Sequence, residues 1–295
     1  MTRKTTNQKV NRTVLAVIVV ILLAVGGGAL FSALRGGGGN GAEAASAASQ
    51  GSFLEDIKKR GVLRVGVALS PPHTVQLPDG TYGGPNILPL QNLAKALDVR
   101  LETVPAEWKN IVAGLQAGRY DFAANLDRTL ERSTAIQFTE KVWDYPAVFV
   151  VKADSPYVTT DDLLKSGKQI GTAQGTAHEA SFVRQYPTAA TLPTDSFTNL
   201  VQALKADRIV ASLTDLPTAV SQAQEDSSLK IIVPTPDIYR GLVAYGVPAN
   251  ADSRSLQTVN IAIERALNEG VLQAEYAKVG YLDETQLAGA GLLKK

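Results

Sequence analysis

The sequence predicts an α/β protein of two lobes, preceded by an apolar N-terminal helix. Three observations carry this. Short apolar strands alternate with amphipathic helices from about residue 53 onward, which implies parallel sheets covered on both faces. The alternation runs for roughly 230 residues, more than one sheet comfortably uses, so two α/β lobes are expected. A long charge-free run stands apart at the start of the chain.

That run comes first in order. Arg3, Lys4, Lys9 and Arg12 form a basic stretch with no acid among them, and "TVLAVIVVILLAV" (13–25) follows without a charge. "GGGALFSAL" carries the apolar character on to Leu34. A bilayer core needs about 20 apolar residues and a signal-peptide core about 7–15, and the segment 1–34 fits both a signal peptide and a membrane anchor. The basic flank places the first residues in the cytoplasm and everything after them outside. Residues 35–52 are a Gly/Ala/Ser linker with nothing to bury. Ala42-Glu43-Ala44 offers a small-x-small cleavage pattern there.

The exported part opens with a strand, "VLRVGVA" (62–68). In 86–97, Ile87, Leu90, Leu93, Ala94 and Leu97 share a helical face. A strand at 99–104 leads to a helix at 108–118, with Trp108, Ile111, Val112 and Leu115 aligned, and then to a strand at 120–125. A longer strand lies around 147–152. Thr160 caps "DDLLKSG", "KQIGTA" is a strand, and 175–186 and 196–206 are helices. Strands at 208–213, 230–234 and 241–248 flank a helix at 214–224. Val259, Ala262, Ile263, Ala266 and Leu267 mark a last long helix, followed by "VLQAEYAKVGY". The expected division is lobe 1 at 53–147, lobe 2 at 148–240, the rest of lobe 1 at 241–283, and a tail at 284–295.

Composition narrows the function. With 29 basic and 28 acidic residues the chain lacks the basic excess of a nucleic-acid partner. Cysteine is absent, which excludes disulfides, thiolate metal sites, a cysteine nucleophile and lipid attachment at an N-terminal cysteine. Two histidines, His73 and His178, argue against a metal centre, and no cofactor is expected. "GTAQGT" lacks the lysine of a phosphate-binding loop, and neither Gly-x-Ser-x-Gly nor His-Glu-x-x-His occurs.

Three stretches are polar where an α/β sheet presents its strand ends, the place where such sheets bind ligands. "NLDRTLER" follows the strand 120–125 and packs Asp127, Arg128, Glu131 and Arg132 into six positions. By spacing alone this is a solvated turn. In "GTAQGTAHE" a strand turns through Gly175 into a helix whose first amides belong to Thr176 and Ala177. In "SLTDLP" Asp215 follows a strand and Pro217 sits in the next helix's first turn. An arginine fork matches a carboxylate, helix-start amides attract the same anion, and a separate carboxylate holds an ammonium. Together they describe a receptor for an α-amino acid zwitterion.

Through "LRVGVALSPPH", "GPNILPLQNLAKALDV", "WKNIVAGLQAGRYDFAANLDRTLERSTAIQFT", "IGTAQGTAHE" and "RIVASLTDLPTAV", residues 54–281 resemble the extracytoplasmic solute-binding proteins of polar amino-acid ABC importers, bacterial family 3. The resemblance implies a type II periplasmic-binding-protein fold, two α/β lobes joined by a two-strand hinge. It implies that Arg132 binds the ligand carboxylate, that Gly175, Thr176 and Ala177 add amide and hydroxyl contacts, and that Asp215 binds the α-amino group. Trp108 would pack over the ligand and Asp127 would contact it. Arg128 and Glu131 are then solvated neighbours. The implied partners are a small-molecule amino acid and the membrane subunits of an ABC permease, with membrane contact through 13–34 if that segment is uncleaved. The implied protein is a periplasmic monomer and not an enzyme.

The chain departs from that pattern. The family's Gly-Phe-Asp is Gly84-Pro85-Asn86 here, its Pro-Pro-Phe is Pro71-Pro72-His73, and an acidic residue used for basic ligands aligns with Ala68. The side-chain pocket is remodelled away from lysine- or arginine-type ligands. Asp127, Asn125 and His73 could read a polar side chain, or lie on the rim, with His73 a partly exposed turn residue. Trp143 reads as lobe packing or ligand stacking. A few relatives of the fold dehydrate cyclohexadienyl acids with a carboxylic acid in the cleft, for which Glu179 or Asp215 would be the candidate. A membrane-tethered amino-acid sensor is a third alternative.

Overall fold

The computed structural model describes residues 52–279. The expected N-terminal apolar helix, its cleavage pattern, all but the last residue of the linker, and the tail at 284–295 lie outside the described residues. Among the described residues no helix is long and apolar enough to cross a membrane.

The chain enters the fold through α1 (Phe53–Arg60). Ser52 caps it by accepting from the Glu55 amide, and Gly61 ends it at φ 71, a left-handed turn in which its N–H reaches back to the Ile57 carbonyl. Then follow β1 (Val62–Val67), a small hairpin of β2 (Val75–Gln76) and β3 (Tyr82–Gly83), α2 (Leu88–Leu97) and β4 (Arg100–Pro105). After a 3₁₀ turn over Trp108–Asn110 come α3 (Ile111–Gln116), β5 (Phe122–Asp127), α4 (Leu130–Ser133), β6 (Gln137–Phe138) and β7 (Trp143–Lys152). The second series is α5 (Thr160–Lys165), β8 (Ile170–Ala173), α6 (Ala177–Gln185), β9 (Thr191–Thr194), α7 (Phe197–Lys205), β10 (Ala211–Asp215), α8 (Leu216–Glu225) and β11 (Leu229–Ile232). The chain returns through β12 (Arg240–Val247), α9 (Ser253–Asn268) and α10 (Val271–Lys278).

The strands form one curled path, β4-β1-β5-β12-β7-β10-β8-β9, with β11 on β7 and β6 on β12. Each end is parallel, as expected: β4-β1-β5 in the first lobe and β10-β8-β9 in the second. The middle is antiparallel and belongs to the crossing strands. Trp143–Pro146 of β7 faces Val243–Arg240 of β12, while Ala147–Val150 faces Asp215–Ser212 of β10. One strand thus serves both lobes, with its partner changing at Pro146–Ala147. Ala147 donates to the Tyr239 carbonyl at 2.7 Å, beside the second crossing.

Several boundaries differ from expectation. β5 and β10 run on to Asp127 and Asp215, two residues past the apolar stretches, because ladder bonds to β12 and β7 hold their polar ends. Thr159, not Thr160, caps α5, in a capping box with Asp162. Val65, Phe122, Tyr245 and Ile263 are buried in a first-lobe core, and Phe149, Leu163, Phe182 and Leu213 in a second-lobe core. A third cluster joins Trp108 and Ile111 to Phe197 and Leu216, from opposite lobes.

Candidate functional site

The three polar strand ends converge. Arg132, Asp215, Trp108, Asp127, Thr176 and Asn125 all line one cavity at the seam between the lobes. Its volume is about 10 Å³, the space of a single water. The lobes are therefore shut upon one another.

Local structure explains how each side chain arrives. Ala124 and Asn125 together oppose Tyr245 in an irregular stretch of the β5–β12 ladder, and Asn125 takes φ 55. Such a bulge re-aims a side chain, and asparagine tolerates that conformation. Asn125 Oδ1 accepts from Asn86 Nδ2 at 2.5 Å and from the Tyr145 hydroxyl at 3.2 Å. Thr129 caps the short helix α4 and holds Arg132 on its first turn. The guanidinium donates to the Asp127 carbonyl at 3.0 Å and, across the seam, to the Gly175 carbonyl at 2.9 Å. Burial pulls its pKa down and the Asp127 carboxylate pulls it back up, with a net fall.

Gly175 stands at φ 82, and a Cβ there would lie 2.5 Å from Lys109 Cα and 2.6 Å from Lys109 N. Only glycine lets the turn meet the first lobe so closely. The turn is knotted from within: Glu179 accepts from the Gly175 amide at 2.7 Å and from the Thr172 hydroxyl at 3.0 Å. The Thr176 hydroxyl donates to the Ala173 carbonyl at 2.8 Å, and its amide points to the same carbonyl at 3.3 Å. Ala177 opens α6, and the Glu179 amide two residues on donates to the Thr176 hydroxyl at 3.2 Å.

Asp215 caps α8. Its Oδ1 accepts from the Thr218 amide at 2.8 Å and from His73 Nε2 at 2.9 Å, and its Oδ2 accepts from the Thr218 hydroxyl at 3.0 Å. Burial pushes this carboxyl's pKa up, but His73, His178 and the Thr218 amide together outweigh it and hold the pKa below the usual range. A low pKa is the opposite of what a proton-donating catalyst needs. Glu179, tied into its own turn, does not line the cavity either.

His73 departs from the partly exposed turn residue that was one expectation: it is 0 % exposed. Its Nδ1 meets the Tyr276 hydroxyl at 2.5 Å, and its ring stacks on Tyr145 at 4.8 Å. His73, Gly175 and Ala177 stand behind the cavity lining. Trp143 packs on Tyr276 at 4.9 Å, in the first-lobe core, which decides for packing over ligand stacking. Arg128 is half-exposed and pairs with exposed Glu140 at 3.6 Å, as a solvated neighbour should.

Four lining residues were not singled out from the sequence: Ser70, Tyr145, His178 and Phe197. Asp127 Oδ1, Trp108 Nε1, Ser70 Oγ and both ring nitrogens of His178 are buried without a protein partner. Burial raises the Asp127 pKa, partly countered by His178 and Arg132. Among the described residues no group of three or more metal-binding side chains is placed to hold an ion.

Two α/β lobes sharing crossing strands, with polar groups from both lobes turned into one seam cavity, define a solute-binding protein. The chain belongs to the bacterial extracellular solute-binding proteins, family 3, whose model matches residues 63–280. It is similar to the L-cystine-binding protein TcyJ of Escherichia coli (strain K12), at 27% identity over 239 residues, 78% of this chain and 86% of that one. It is also similar to the putative ABC transporter arginine-binding protein 2 of the same organism, at 26% identity over 192 residues, 64% of this chain and 77% of that one. Among solved structures, the ancestral amino acid-binding protein AncCDT-1, a precursor of cyclohexadienyl dehydratase, superposes with a TM-score of 0.69 at 26% identity, over 77% of this chain and 99% of that one.

Proposed function

We propose that this protein is an extracytoplasmic receptor that captures a polar amino acid or close analogue by closing its two lobes, and hands it to an ABC importer. The single observation that carries this reading is that Arg132 of the first lobe and Asp215 of the second face the same buried cavity. A guanidinium suits the ligand's carboxylate. Asp215 Oδ2, with one protein donor in the structure, keeps acceptor capacity for an ammonium. Only a form closed around the ligand, wider than the water-sized space of this structure, makes both contacts, so ligand binding favours closure. In this reading lobe 1 comprises 53–147 and 241–283, lobe 2 comprises 148–240, and the protein works as a monomer exported by its N-terminal segment.

The names of relatives that bind cystine and arginine support an amino acid. The binding reading is favoured over a dehydratase because Asp215 is held ionised and Glu179 is turned away from the cavity. The test is calorimetry of the purified chain against the amino acids one by one. Binding of at least one, lost on the order of 100-fold in Arg132→Ala, is the expected outcome, given what a buried charged hydrogen bond contributes. No binding by any amino acid, or an unchanged affinity in the variant, overturns the proposal.

A further inference from the structure

Arg132 and Asp215 account for the two ends common to every α-amino acid, but not for the remaining polar atoms of the cavity. Trp108 and Asp127 are each 8 % exposed and His178 is 4 % exposed. Trp108 Nε1, Asp127 Oδ1 and both nitrogens of His178 lack any partner in the protein. Buried polar atoms are costly to leave unpaired, and these four, with Ser70 Oγ a fifth, mark a surface around one small space that is shaped for something polar.

Their hydrogen-bonding characters differ. Trp108 Nε1–H can only donate. A carboxylate oxygen of Asp127 accepts, and a neutral imidazole offers one donor and one acceptor whichever tautomer it adopts. A cationic side chain brings donors alone, so Trp108 and the His178 N–H would stay unmatched. A carboxylate brings acceptors alone and would set a second buried negative charge beside Asp127. A hydrocarbon side chain matches nothing. A carboxamide has a carbonyl oxygen for Trp108 or His178 and an NH₂ group for Asp127 and the other His178 nitrogen, and so satisfies both kinds.

We propose that Trp108, Asp127 and His178 are the specificity residues of this cleft, and that they select an amino acid with an uncharged carboxamide side chain. This rests on the reading of the cavity as the amino-acid site. The surroundings fit a neutral group: the charges of Arg132 and Asp215 answer the ligand's own carboxylate and ammonium, which leaves the side chain to the uncharged partners. Tyr239 sets its ring edge-on to His178 at 5.4 Å, and burial pushes its hydroxyl's pKa up, so it adds no charge beside that ring at neutral pH.

The experiment is competition calorimetry of the full chain with L-glutamine, L-asparagine, L-arginine, L-glutamate and L-leucine, repeated with Trp108→Phe and His178→Leu. At least one carboxamide is expected to bind about tenfold or more tighter than arginine, glutamate and leucine, since a site built for hydrogen bonds rejects ligands that leave them unmade. Each variant is expected to shrink that ratio by weakening carboxamide binding more than binding of the other amino acids. Trp108→Phe keeps an aromatic ring over the ligand, and circular dichroism confirms that each variant is folded. Arginine, glutamate or leucine binding as tightly as the carboxamides, or a ratio untouched in both folded variants, overturns this inference and leaves the amino-acid reading standing. If no amino acid binds at all, the amino-acid reading itself falls, and the side-chain assignment with it.

Discussion

His73 Nε2 lies 2.9 Å from Asp215 Oδ1, and the two residues come from opposite lobes. Both are buried, at 0 % and 2 % exposure. His73 sits behind the cavity lining, and its bond to Asp215 is a fastener that holds the lobes shut and keeps Asp215 aimed. Removing the imidazole leaves Asp215 with only its Thr218 bonds. His73→Ala is expected to lose about 3 kcal/mol of unfolding free energy, the scale of a broken buried pair. Urea denaturation measures it, and an unchanged midpoint would show that the pair contributes nothing.

The same carboxylate sets an acid limit. The Asp215 pKa is lowered in the folded state, so the folded form binds its proton less readily than the unfolded chain. Its contribution is present above the ordinary aspartate value of about 3.9 and is lost as pH falls through the lower folded value. Asp215→Asn should therefore flatten the acid limb of stability, read as melting temperature against pH below about 4.

Asp127 has the opposite sign. Burial raises its pKa, so the folded state holds the proton longer than the unfolded chain, and stability falls as pH rises from the unfolded value through the raised one. Asp127→Asn should raise the melting temperature at pH 7 relative to wild type and shift it far less at acidic pH. Equal shifts at both would contradict the assignment.

Gly175→Ala tests closure. The new methyl would meet the Lys109 backbone at 2.5 Å, on a residue already at φ 82. The turn cannot keep both its conformation and its contact, so the variant should favour parted lobes. A larger radius of gyration by small-angle scattering and roughly tenfold weaker ligand binding are expected.

A catalytic role is tested directly. Incubated with prephenate or arogenate, the purified chain should give no aromatic product by ultraviolet absorbance. Appearance of that product, abolished in Asp127→Asn, would make the protein an enzyme that uses the one cavity carboxyl whose pKa is raised.

Much of this was legible in the sequence because charge after an apolar strand is costly unless it has a task. The stretches that hold Asp127, Arg132 and Asp215 stood out for that reason, the family resemblance singled out these residues within them, and the cavity gathers all three. Tyr145 was not legible: it lies inside an apolar strand and reads as core. Phe197 opens a helix on its apolar face and reads the same way. His178 sits in a stretch that did draw notice, but which way it faces depends on where α6 begins, and helix starts shift by a residue or two. The hairpin of β2 and β3 has two residues per strand, too few for any periodicity to register. His73 misled because two prolines suggest an exposed turn, whereas tertiary packing buries this one completely.

Pro146 marks the point where β7 exchanges its first-lobe neighbour for its second-lobe neighbours. Proline has no amide hydrogen to give, so the shared strand lacks a donor at the place where it must flex. Swinging the lobes apart then disrupts side-chain fastenings and leaves the strand registers on either side intact. In deuterium exchange, amides along β7 should stay protected whether or not solute is present, while those around Gly175 should report occupancy.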